Sequence, residues 1–158
     1  MPRRRLSRSF ADAFAGFAET WLGERNMRIH TFLALLALAA GRLGALSRWE
    51  WLLLSLVIAL VFAGELLNTA IEAAVDLCTD EVKPLARTAK NAAAAAVLAI
   101  AVGALAAGWW LFAPRLGLYP AAWRAWWRAR PAEAGGWAIV TLVSGWLALR
   151  PGRVKPGR

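Results

Sequence analysis

From Trp51 to Gly64 the chain is almost wholly apolar, and directly after that run come Glu65, Asn68, Glu72 and Asp76. Steps of three, four and four residues bring these polar side chains onto one face of a helix. A helix from about Trp49 to Leu77 extends roughly 43 Å, well beyond a bilayer core of about 30 Å. The Asp76 end is therefore predicted to protrude into water, with Glu65 near the interface. An acid at the bilayer centre costs about 2.5–3.5 kcal/mol, so three on one stripe are predicted to face protein, water or a bound ion rather than lipid.

The 158 residues are 59% hydrophobic and include ten tryptophans, which places the chain among small integral membrane proteins of all-α class. A formal net charge of +9 raises nucleic acid as a partner, but the basic residues flank apolar runs instead of forming one patch. Anionic lipid headgroups are the expected counterpart, and no nucleic acid is expected. Cys78 is the single cysteine, which excludes an intramolecular disulfide and a cysteine-based metal site, and it is read as packing. The basic start leads into Asp12, Glu19 and Glu24, so no cleavable signal peptide is expected.

Leu6, Phe10, Phe14, Phe17 and Trp21 form an aromatic stripe opposite Arg8, Asp12 and Glu19, as in a helix lying on a membrane or packed on the protein's own core. Gly23 is expected to bend the chain. A first span is predicted from about Ile29 to Ser47, with Arg42 snorkelling at its far end. The second carries the acidic stripe. The third runs from Asn91 to about Ala113, with Pro84 suited to the first turn of its helix and Gly103 and Gly108 suited to close helix approach. Beyond Pro114, Tyr119, Trp123, Trp126 and Trp127 interleave with Arg124, Arg128 and Arg130, predicting an interfacial helix. The last apolar run, Trp137 to Leu149, has the length of a re-entrant or interfacial segment and leaves a fourth span open. Basic residues before the first span place the amino terminus, the second connector and the acidic stripe in the cytoplasm.

The words Glu65-Leu-Leu-Asn68-Thr-Ala-Ile-Glu72-Ala-Ala-Val-Asp76 and Ala89-Lys90-Asn91, with Glu24-Arg25-Asn26-Met27-Arg28-Ile29-His30 upstream, closely resemble the signature of the prokaryotic diacylglycerol kinase and undecaprenol kinase family. The likeness runs from about Ser9 to Leu116 and is closer to the undecaprenol kinase branch. It divides the chain into a lipid kinase-like membrane domain, 1–116, and a Trp/Arg-rich extension, 117–158. The resemblance implies a homotrimer of three-span subunits in the bacterial inner membrane, multi-pass, with active sites facing the cytoplasm. Its expected reaction is Mg2+-dependent phosphoryl transfer from ATP to a lipid primary alcohol, undecaprenol or diacylglycerol.

Such a transfer needs a base for the hydroxyl, a divalent cation on the phosphates and positive charge beside them. By resemblance Glu65 is the base, Glu24 and Glu72 are the metal carboxylates, and Lys90 contacts phosphate. Asn68, Asp76, Glu81, Lys83 and Asn91 belong to the nucleotide environment, with Arg5 or Arg8 closing it. A Gly-rich phosphate loop and a kinase catalytic loop are both missing from the sequence. The chain departs from the family pattern at Asn91, where aspartate is usual, and at Asp12, where an aromatic is usual. Blander readings stand beside these. The stripe can serve as interhelical glue, Lys83, Arg87 and Lys90 as topology determinants, and His30 as a span-end residue. As a whole the chain can also be read as a small transporter or proton-relay subunit, or as a weakened kinase relative with an assembly role.

Overall fold

The computed structural model describes residues 6–79, 81 and 83–151. The described residues form six α-helices and no strand: α1 Leu6–Gly23, α2 Arg25–Leu43, α3 Arg48–Cys78, α4 Pro84–Phe112, α5 Tyr119–Ala129 and α6 Pro131–Leu149, with a 3-10 turn at Ala113–Arg115. The all-α integral membrane architecture expected from the sequence is the one found. Three of its helical stretches, Arg48–Cys78, Pro84–Arg115 and Pro131–Leu149, are long and apolar enough to cross a membrane; α2, expected as the first span, is not among them, and α6, left open by the sequence, is.

α1 is held to the rest of the protein through its second half. Phe17 meets Phe62 edge-on at 5.8 Å and Trp21 Nε1 donates to Thr31 Oγ1, while Leu6, Phe10 and Phe14 project outward. Its second half thus packs on the protein and its first half presents an unburied aromatic stripe, the arrangement of a surface helix. The break after α1 falls at Glu24, whose backbone is extended, and Gly23 remains helical.

α2 ends at Leu43, four residues earlier than the sequence suggested. Leu46 N–H donates to Gly41 O and Ala45 N–H to Arg42 O, so the chain leaves the helix through a Schellman turn. Ala45 takes the left-handed conformation, φ 49°, that glycine usually fills there. Gly44 is kept for another reason: a Cβ on it would meet Arg115 Cδ at 2.8 Å. α3 then starts with a capping box, Ser47 N–H donating to Glu50 Oε2 and Glu50 N–H to Ser47 Oγ. At 31 residues α3 is about 46 Å long, and Cys78 is exposed at its end instead of packed.

α4 starts with Pro84 at its first helical position and lies along α3. The close approach is made at Gly64, where a Cβ would lie 2.8 Å from Ile100 Cδ1. Gly103 and Gly108, expected to serve this purpose, do not: no neighbouring helix comes within 4 Å of a Cβ built at either. The small-residue face that holds Gly103 is turned away from the core among the described residues.

The larger difference lies in α6. Its helix begins at Pro131, not near Trp137, because the weakly apolar Glu133–Gly136 stretch is helical too, and its 19 residues reach about 28 Å. It runs antiparallel to α2: Arg42 Nε bonds Glu133 at one end, Phe32 packs on Gly145, and Arg28 bonds Leu147 O and Arg150 O at the other. α6 is therefore a full-length companion of α2. α5 lies at the Pro131 end, where Trp126 is buried and Trp123 stacks edge-on against it.

Candidate active site

Glu65, Asn68, Glu72 and Asp76 lie along one side of α3, on a gradient from buried through half-buried to exposed. Glu65 is only 3% exposed, and α2 supplies its partner: His30 Nε2 lies 3.0 Å from Glu65 Oε1. A buried carboxylate without a donor is costly, so this contact accounts for an acid at that depth. His30 was not legible as more than a span-end residue. A lone histidine carries no signal of its own, and only the folded structure brings it against an acid 35 positions away.

One turn onward Asn68 Nδ2 donates to Glu72 Oε1 at 3.0 Å, which turns Asn68 Oδ1 the other way, buried and with no hydrogen-bond partner among the described residues. An orphaned amide oxygen beside a carboxylate is a hard-oxygen donor set, and it suits Mg2+. Glu24 precedes His30 by six residues and Glu72 follows Glu65 by seven on the antiparallel neighbour. Both therefore lie about 10 Å beyond the His30–Glu65 pair, at similar depth. At the end of the stripe Lys90 of α4 forms an ion pair with Asp76. Lys83 and Glu81 pair at 3.6 Å in the exposed connector, Asn91 is exposed on α4, and Arg8 is exposed on α1. Arg5 lies outside the described residues. Among the described residues no three His, Cys, Asp or Glu side chains gather into a metal cluster.

On the other side of the His30–Glu65 pair, α2, α3 and α4 enclose an open-sided cavity of about 690 Å³. Its wall is almost entirely hydrocarbon, including Leu33, Ala37, Val61 and Leu105, with His30 at one end and Tyr119 at the other. Polar stripe and apolar cavity thus meet at one histidine and one buried acid.

A buried acid thus sits at the junction of an apolar slot and an oxygen-rich, lysine-paired stripe in a helical bundle, and the class of protein follows from its relatives. The family model of prokaryotic diacylglycerol kinase matches residues 11–112, and the chain belongs to that family. It is 46% identical over 112 residues to the undecaprenol kinase of Bacillus subtilis, covering 71% of this chain and 91% of that one. It is 40% identical over 109 residues to the diacylglycerol kinase of Synechocystis, covering 68% of this chain and 62% of that protein's length. No solved structure matches significantly. Helices α5 and α6 lie beyond the residues matched by the family model.

Proposed function

We propose that this protein transfers the γ-phosphoryl group of ATP to the primary alcohol of a membrane lipid, with undecaprenol favoured over diacylglycerol, on the cytoplasmic face of the bacterial inner membrane and as a homotrimer. The observation that carries this reading is the position of Glu65, buried where the apolar cavity gives way to the polar stripe. A lipid with its chain in that cavity brings its hydroxyl to the interface beside Glu65.

His30 holds Glu65 Oε1, and Oε2 makes no hydrogen bond among the described residues. Oε2 takes the hydroxyl proton as the lipid oxygen forms its bond to the γ-phosphorus and the bond to the ADP oxygen breaks. Glu72, Asn68 Oδ1 and Glu24 would hold Mg2+, which supplies neutralising charge on the phosphates. Lys90, held by Asp76, places a cation beside the triphosphate. Glu81, Lys83, Asn91 and Arg5 complete the surroundings of the nucleotide. The preference for undecaprenol rests on the greater identity to the relative of that name, and on that relative's near-complete coverage.

The test is purified protein with labelled ATP and Mg2+, given undecaprenol and diacylglycerol separately. Metal-dependent label in undecaprenyl phosphate supports the reading. Label in phosphatidic acid alone would reverse the lipid preference, and label in neither lipid would overturn the kinase assignment. A proton-relay reading finds no support in α3, because no ionisable residue lies between Glu50 and Glu65 to continue the path.

A further inference from the structure

His30 lines the apolar cavity and its Nε2 lies 3.0 Å from Oε1 of the buried acid, whereas Glu65 itself is not part of the cavity wall. We propose that His30 is a positioning residue for phosphoryl transfer, acting through Glu65. This rests on the assignment of Glu65 as the base. The imidazole Nε2–H fixes Oε1 and thereby aims Oε2 at the hydroxyl of a lipid whose chain lies in the cavity.

Three features support the assignment. A carboxyl group 3% exposed is costly to bury without a hydrogen-bond partner, and His30 is the side chain that supplies one among the described residues. The contact joins two helices, so it fixes the carboxylate relative to α2 and not merely within α3. Finally, His30 stands between the hydrocarbon wall and the acid, so its ring ends the slot at the depth where a hydroxyl has to stop. General bases act efficiently only when held within hydrogen-bond reach of the proton they take.

The consequence is a specific kinetic signature. A charge-assisted hydrogen bond is worth about 1.5–3 kcal/mol, and losing it from the aligned state lowers turnover by about 10- to 100-fold. His30→Met and His30→Leu remove the donor at similar volume, while His30→Gln keeps an N–H near the position of Nε2. With the full-length protein in detergent micelles or nanodiscs, initial rates are measured against lipid alcohol and against MgATP, and assembly is checked by gel filtration. The expected result is that either donorless variant that assembles loses kcat by about 10- to 100-fold with KM for both substrates within about twofold, and that His30→Gln recovers most of the loss. Wild-type kcat in a donorless variant would overturn the proposal. So would equal losses in the donorless and glutamine variants, or a rise in lipid KM with kcat intact, which would make His30 only a wall of the cavity. If the wild type phosphorylates neither lipid, the kinase reading falls and this one with it; a working wild type with a normal donorless variant removes this inference alone.

Discussion

Glu65 and Glu72 lie two turns apart on the same face of α3, yet their surroundings assign them different work. Glu65 is buried against His30, whereas Glu72 is half-buried, tied to Asn68 and nearer water. Glu65→Gln should abolish phosphoryl transfer and leave MgATP binding largely intact, since it removes the proton acceptor and keeps side-chain size. Glu72→Gln should instead weaken Mg2+-dependent nucleotide binding; nucleotide titrations beside single-turnover rates separate the two. Asn91 offers a gain-of-function test, because it lies next to Lys90 and is exposed on α4. A carboxylate there can orient the lysine or bind a metal-coordinated water, and an amide does either weakly. Asn91→Asp should raise turnover by roughly tenfold or lower the Mg2+ requirement, and superimposable rate curves against Mg2+ would show the amide to be fully competent. The stripe was legible because helical period is written in one segment. His30 was not, since its meaning depends on how α2 and α3 cross.

Between elements the strongest joint is Arg28. Its guanidinium, 5% exposed, donates to Trp21 O and Leu22 O in the last turn of α1, to Leu147 O in the last turn of α6 and to Arg150 O at the cap of α6. A cation at two helix carboxyl ends satisfies carbonyls that the helices leave unpaired and meets the negative ends of both dipoles. Arg28→Met should therefore cost about 2 kcal/mol or more. The visible effect should be a lower thermal inactivation temperature, with earlier proteolysis of α1 and the carboxyl-terminal tail together. Loss at one terminus alone would mean that the two helices are held independently. Nothing in the order of residues announced this joint, because Arg28 reads as an ordinary flanking charge. The same holds for Arg42, whose partner Glu133 belongs to a helix start hidden under weak hydropathy, and for Gly64, where contact with Ile100 shows which glycine the α3–α4 approach uses.

For the molecule as a whole, the antiparallel course of α6 along α2 decides how the basic residues divide between the two sides. If α6 crosses with α2, Arg150 and the basic tail return to the side of the Glu65 stripe, and that side carries thirteen of the 19 lysines and arginines against six on the side of α5. If α6 stayed on the α5 side, the division would be nine against ten and the bias that orients membrane proteins would vanish. A crossing α6 with the stripe in the cytoplasm is thus the arrangement that sequence charge and helix packing both favour. Single cysteines in a Cys78→Ser background test it in intact bacteria with a membrane-impermeant thiol reagent. Leu85→Cys, exposed at the start of α4, and Pro151→Cys, just past α6, should both be protected until the cells are opened. Leu116→Cys, exposed beside α5, should label from outside. Labelling of Pro151→Cys from outside with Leu85→Cys protected would show that α6 does not cross. Reversal of the Leu85 and Leu116 pattern would put the stripe on the side without ATP, and the proposed chemistry would have no phosphoryl donor.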